Sequence, residues 1–138
     1  MFLTSQGELK VGDFGFARVV DGLCHTRCGS TGYMAPEIAR KDDIGLDPKL
    51  ADVWSIGVIL YTISTKCMPF ADRDYKLINK KRLVAIAYVP PTIVTSRLRN
   101  LIKQFLLFEP LGRIKLEDVS KHAWITDNGS KRGSDRQQ

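Results

Sequence analysis

No run of about 18 apolar residues occurs in this 138-residue chain, so nothing in it reads as a membrane-spanning helix. Met1-Phe2-Leu3-Thr4-Ser5 lacks the basic stretch and apolar core of a secretory signal. Cysteine is scarce. Cys24, Cys28 and Cys67, odd in number and irregular in spacing, suit free thiols in a reducing compartment rather than a disulfide framework. Cys24, His25 and Cys28 lie close together, but a fourth ligand at finger-like spacing is missing, which argues against zinc. Cys28 beside Arg27 is either an oxidisable thiol of lowered pKa or a quiet structural one. Internal repeats are absent. The chain is basic, with formal charge +6 and pI about 9.4, yet no nucleic-acid-binding motif accompanies the charge. Its densest basic stretch, Lys76 to Arg82, reads as the solvated face of a helix, with a nuclear-localisation or phosphate-binding role as the alternative. Neither nucleic acid nor membrane is expected as a partner.

What is present suits one domain with a real core, since 43% of the residues are apolar. Leu3-Thr4, Ser5-Gln6-Gly7-Glu8 and Leu9-Lys10-Val11 predict strand, turn and strand. Asp13 to Thr31 shows no periodicity and reads as a loop. Asp47-Pro48 signals a helix start, with Asp as N-cap and Pro in the first turn. The predicted helix Pro48–Thr65 is apolar nearly all round, which marks a central buried helix. Further helices are expected at Asp72–Arg82, Ser96–Leu107 with Ser96 as cap, and Leu116–His122. Leu98, Leu101, Ile102, Phe105 and Leu106 form an i, i+3, i+4, i+7, i+8 stripe, each contributing roughly 1.5–3 kcal/mol on burial before entropy is subtracted. From Thr126 onward the sequence is polar and glycine-rich, as in a disordered tail over 126–138.

Asp13-Phe14-Gly15 follows the second strand directly. A carboxylate at a strand end can bridge Mg²⁺, a hard cation, to phosphate oxygens. Gly12 to Arg18, His25 to Glu37 with its Ala35-Pro36-Glu37, then Asp52-Val53-Trp54-Ser55-Ile56-Gly57 and finally Arg113 occur in this order. Together they resemble the second half of a protein serine/threonine kinase domain, over roughly Met1 to Ile125. The nearest group is that of the calcium/calmodulin-dependent kinases, and within it the testis-specific serine kinases, on Leu46-Asp47-Pro48-Lys49 and Cys67-Met68-Pro69-Phe70.

The resemblance implies a mainly α fold over 1–125: a kinase C-terminal lobe with a short N-terminal β-hairpin, the N-lobe and catalytic loop missing. It implies ATP and Mg²⁺ for the intact parent kinase, with Asp13 as the metal and cofactor ligand. Thr26 and Ser30 stand at regulatory hydroxyl positions, Thr26 as a phosphorylation site for an upstream kinase, and Arg18 at a phosphate-contacting one. Arg27, Thr31 and Met34 fall in the loop that faces the substrate residue after the phosphorylated hydroxyl. Glu37 and Arg113 match a buried ion pair, and Asp52 an acid that anchors the catalytic loop's backbone. The expected partners are protein substrates presenting Ser or Thr, in the cytoplasm or the nucleus. Val84-Ala85-Ile86-Ala87 mimics the ATP-binding strand, but carries Ala87 where the lysine belongs. The Gly-rich loop, the ATP lysine, the catalytic Asp and the metal-binding Asn lie outside the chain, so no catalytic residue is assigned and the isolated chain is expected to be inactive. The alternative is a non-catalytic, pseudokinase-like module that binds proteins. Thr62 follows the Tyr61 position where Arg-directed relatives carry a Glu, which implies weak selection for Arg two residues before the phosphorylated hydroxyl.

Overall fold

A computed structural model describes residues 1–15, 17, 31–39, 47–70 and 94–127. The expected helix Asp72–Arg82, the basic stretch within it and the Cys24/His25/Cys28 group lie outside the described residues. Strands β1 (Phe2–Leu3) and β2 (Leu9–Lys10) pair antiparallel, with Phe2 opposite Lys10 and Leu3 opposite Leu9. Gly7, at φ 80°, takes the left-handed conformation the turn requires, and its N–H donates to the Thr4 carbonyl. The first strand lies one residue earlier than the expected Leu3-Thr4, and the second ends one residue before the expected Val11. A hairpin with no sheet beside it leaves both faces wet, and all four strand residues are exposed.

A short helix, α1 (Pro36–Ala39), follows a 3₁₀ turn at Thr31–Tyr33. Helix α2 (Pro48–Thr65) begins where the sequence signals it: the Asp47 carboxylate accepts from the Lys49 N–H at 3.0 Å. It ends at Lys66, whose left-handed backbone returns its N–H to the Thr62 carbonyl. Four hydroxyls within α2, those of Ser55, Thr62, Ser64 and Thr65, bond back to the carbonyl four residues earlier. These polar side chains satisfy themselves on their own helix, so they do not force a face of α2 into water.

Helix α3 (Ser96–Phe105) packs its whole predicted stripe inward: Leu98, Leu101, Ile102 and Phe105 are buried, with Leu106 beside them. Its cap differs from the expectation. Thr95 is the N-cap, accepting from the Leu98 N–H at 3.2 Å, and Ser96 is the first helical residue. The helix ends at Phe105, two residues before the expected Leu107. The predicted Leu116–His122 helix ends early, as α4 (Leu116–Val119), and a separate helical turn follows at 123–127. His122 breaks the run by capping that turn, its Nδ1 accepting from the Trp124 N–H at 3.1 Å. That last turn runs through Asp127, which pairs with Arg97, two residues past the boundary where composition placed a disordered tail.

The core lies between α2 and α3, around Trp54, Val58, Leu101, Ile102 and Phe105. The expectation that α2 is buried all round holds on one side only. Val53, Trp54, Gly57 and Val58 are buried, whereas Ile63 is 73% exposed. Among the described residues, no helix is long and apolar enough to cross a membrane.

At Gly57 helix α2 comes close against α3. A Cβ there would sit 2.6 Å from the Phe105 Cβ and 2.9 Å from Leu106 Cδ2. Alanine is ordinarily the better helix former by about 1 kcal/mol. Here the clash involves a Cβ fixed to the backbone, and overpacking of about 1–3 kcal/mol wins. Gly57→Ala is therefore expected to lose up to about 2 kcal/mol in chemical denaturation; a stabilised variant would contradict this contact.

Candidate functional site

The described candidate residues divide into a buried cluster and an exposed carboxylate. The cluster centres on Arg113, which follows the 3₁₀ turn Pro110–Gly112. Its Nη1 and Nη2 donate to Glu37 Oε1 and Oε2, both at 2.6 Å. Nη1 also donates to the Leu50 carbonyl at 2.7 Å, and Nε to the Leu107 carbonyl at 2.9 Å. The guanidinium carbon lies 5.0 Å from the centre of the Trp54 ring. Trp54 in turn stacks on Phe70, with centroids 5.2 Å apart and planes 13° off parallel.

Both ends of the pair are buried, Glu37 at 8% and Arg113 at 4% exposure. The planar fork of arginine matches the carboxylate with two parallel bonds. Glu37 sits in the first turn of α1, where the helix N-terminus favours negative charge. Thus the structure places in contact two residues separated by 76 positions, as the resemblance implies.

The sequence reading had no role for Ser55, but its hydroxyl lies 3.0 Å from the Tyr33 carbonyl and 3.1 Å from that of Ala51. The segment carrying Thr31 and Met34 is thereby fastened to α2 at Tyr33 and, through Glu37, to Arg113. A serine inside an apolar helix was the available signal, since such a hydroxyl must find a nearby carbonyl. Met34 is half-buried in this segment, and Thr31 opens its 3₁₀ turn. Arg18, Thr26, Arg27 and Ser30 lie outside the described residues.

Asp13 is exposed at the end of β2, with φ 65° in the left-handed region that few residues other than Gly, Asn and Asp adopt. Among the described residues it has no hydrogen-bond or ion-pair partner. Asp52 lies on the outer side of α2, also without a described partner, and partial burial pushes its carboxyl above the ordinary carboxylate range.

Removing one partner of a buried ion pair strands the other charge, at a cost of about 3–5 kcal/mol. Arg113→Ala is expected to lose that much in urea denaturation. Arg97→Ala, which breaks the exposed pair with Asp127, should lose less than about 1 kcal/mol. Arg113→Lys should fall close to Arg113→Ala, because an ammonium cannot reach both carboxylate oxygens and two carbonyls. Equal losses for Arg113→Ala and Arg97→Ala would refute the role given to the cluster.

Comparison with known sequences locates this arrangement. The model of the protein kinase domain family matches residues 1–125. Among curated proteins, the chain is 35% identical over 133 residues to CBL-interacting serine/threonine-protein kinase 5 of Arabidopsis thaliana. That match covers 93% of this chain and 29% of the relative. It is 38% identical over 130 residues to CBL-interacting protein kinase 16 of Oryza sativa subsp. japonica, covering 91% and 28%. CBL-interacting serine/threonine-protein kinase 26 of Arabidopsis thaliana is 37% identical over 133 residues, covering 93% and 30%. The chain spans less than a third of the length of these relatives. None of the three is a testis-specific kinase, and that narrower likeness gains no support. The matched family model, spanning nearly every described residue and both halves of the Glu37–Arg113 pair, shows that the chain belongs to the protein kinase domain family.

Proposed function

We propose that this chain is the C-terminal lobe of a serine/threonine protein kinase domain of the calcium/calmodulin-dependent group. The parent enzyme transfers the γ-phosphate of ATP to Ser or Thr of proteins, in the cytoplasm or the nucleus. The observation that carries this reading is the bidentate Glu37–Arg113 pair over Trp54, which joins the Ala35-Pro36-Glu37 triplet to the end of α3. In this reading Asp13 is the Mg²⁺ ligand of the assembled enzyme. Thr26 is phosphorylated by an upstream kinase and its phosphate is met by Arg18, while Ser30 contributes a second regulatory hydroxyl. Arg27, Thr31 and Met34 face the substrate. Asp52, unpartnered among the described residues, is the acid that holds the catalytic loop.

The residues described here do not by themselves make a nucleotide site. Phosphoryl transfer depends on several charges held in register around the phosphates. Among the described residues no group of three His, Cys, Asp or Glu could hold a metal, and Asp13 stands exposed. A second reading, a non-catalytic protein-binding module, is favoured by the uncovered apolar side of α2 around Ile63.

Two outcomes test the proposal. Isothermal titration of the isolated chain with ATP and Mg²⁺ should show affinity weaker than about 1 mM, less than ~4 kcal/mol of binding. Saturable micromolar binding abolished by Asp13→Ala would overturn the expectation that the isolated chain binds no nucleotide. In the full-length kinase, a peptide-library profile should show weak selection for Arg two residues before the phosphorylated hydroxyl. The motive is Thr62, a neutral side chain whose hydroxyl donates to the Val58 carbonyl at 2.8 Å and lies 3.4 Å from Met68 Sδ. Strong Arg selection there would contradict the role given to Thr62.

A further inference from the structure

The chain beyond α2 is fastened at both ends of a short stretch. Lys66, at φ 59°, takes the left-handed conformation that ends the helix, and the Cys67 N–H donates to the Thr65 hydroxyl at 3.3 Å. Further on, Phe70 stacks on the buried Trp54. Met68 lies between these anchors, half-buried. Its thioether bridges two segments. Sδ is 3.4 Å from the Thr62 Oγ1, and Cε packs against Gly32, where an added Cβ would stand 2.6 Å from it. The methyl therefore occupies the space that any larger residue at position 32 would need. The neighbouring residue of the same 3₁₀ turn is held by a different bond, from the Ser55 hydroxyl to the Tyr33 carbonyl at 3.0 Å. That bond ties the turn to α2, and the methyl limits how closely Gly32 approaches. An unbranched, polarizable side chain is well suited to fill such an irregular gap.

We propose that Met68 is a positioning residue for substrate selection: its methyl sets the place of the Thr31–Tyr33 turn, and with it which residue a protein substrate can present after the phosphorylated hydroxyl. The proposal rests on the kinase reading above, in which Thr31 and Met34 face that substrate residue. Gly32 lies between them in the chain. Met68 acts through Gly32 and touches no reacting atom in this account. A displaced turn weakens ground-state and transition-state contacts with the substrate alike, so its effect falls on KM rather than kcat.

The test uses the full-length kinase and a set of peptides that differ only in the residue following the acceptor serine. The readout is the spread of kcat/KM across the set. Met68→Ala is expected to narrow that spread about tenfold, the low end of what a methylene-sized change in a pocket produces, with the change in KM and kcat held. Met68→Leu, which conserves volume, should keep the spread. Gly32→Ala alone should narrow it by driving the methyl away from Thr62. Added to Met68→Ala, the same substitution refills the vacated space, so the double variant should recover part of the spread. A merely structural role for Met68 would lower kcat for every peptide alike and leave the spread unchanged, which would overturn the proposal. Additive effects of Met68→Ala and Gly32→Ala, or a narrowing in Met68→Leu as large as in Met68→Ala, would overturn it too. Absence of phosphotransfer by the unsubstituted kinase would instead overturn the kinase reading itself, and this proposal with it. An active kinase with an unchanged spread overturns the role of Met68 alone.

Discussion

One guanidinium organises the described structure. Four of the five N–H groups of Arg113 are used, on Glu37, on the Leu50 carbonyl and on the Leu107 carbonyl, and its face lies against Trp54. Through these bonds it ties α1, the first turn of α2 and the end of α3 to a common point. Taking two charges out of water is costly, and a buried ion pair is weak evidence of net stability. Its effect here is geometric. A carboxylate and a guanidinium that must find one another within the protein leave few alternative registers for the three segments they join. The indole of Trp54 shows what that arrangement tolerates: it is fully buried with its N–H unpaired among the described residues, a cost of roughly 1–3 kcal/mol carried for its contacts with Arg113 and Phe70.

Local signals were legible in the sequence, and long-range ones only through family likeness. Asp47-Pro48 marked the start of α2 because an N-cap and a first-turn proline act within three residues. The stripe of α3 was legible because a periodicity of 3.6 records which face is dry. Neighbouring hydroxyls defeated the finer assignment: Thr95 and Ser96 can each cap a helix, and only backbone conformation decides between them. The break at His122 was hidden for a similar reason, since a ring nitrogen accepting a main-chain N–H leaves no hydrophobic pattern. The pairing of Glu37 with Arg113 had no local trace at all. Composition and spacing offer nothing across 76 positions, and only the resemblance of both motifs to a known domain suggested it.

The misjudged burial of α2 has a physical origin. Apolar composition reports which surface a helix is suited to cover, whereas burial also depends on what is present to cover it. Ile63 is as hydrophobic as Val58, but Val58 is buried in the core and Ile63 is 73% exposed. The self-bonded hydroxyls of Ser55, Thr62, Ser64 and Thr65 sharpen the point, because a helix built for one wet face would have no need to satisfy its polar groups internally.

Arg113 and Asp13 stand at opposite extremes of packing among the described residues. The ion pair is held from three directions by packed elements. Asp13 follows a hairpin of two-residue strands, exposed on both faces, an arrangement only marginally stable by itself in water. Catalytic geometry must be held to about half an ångström, and such precision comes from supporting contacts that lock the side chain in place. Among the described residues none reaches Asp13. Its left-handed backbone, φ 65°, is a conformation that persists where surrounding structure enforces it. The packing that holds Arg113 in place therefore does not extend, among the described residues, to the position of Asp13.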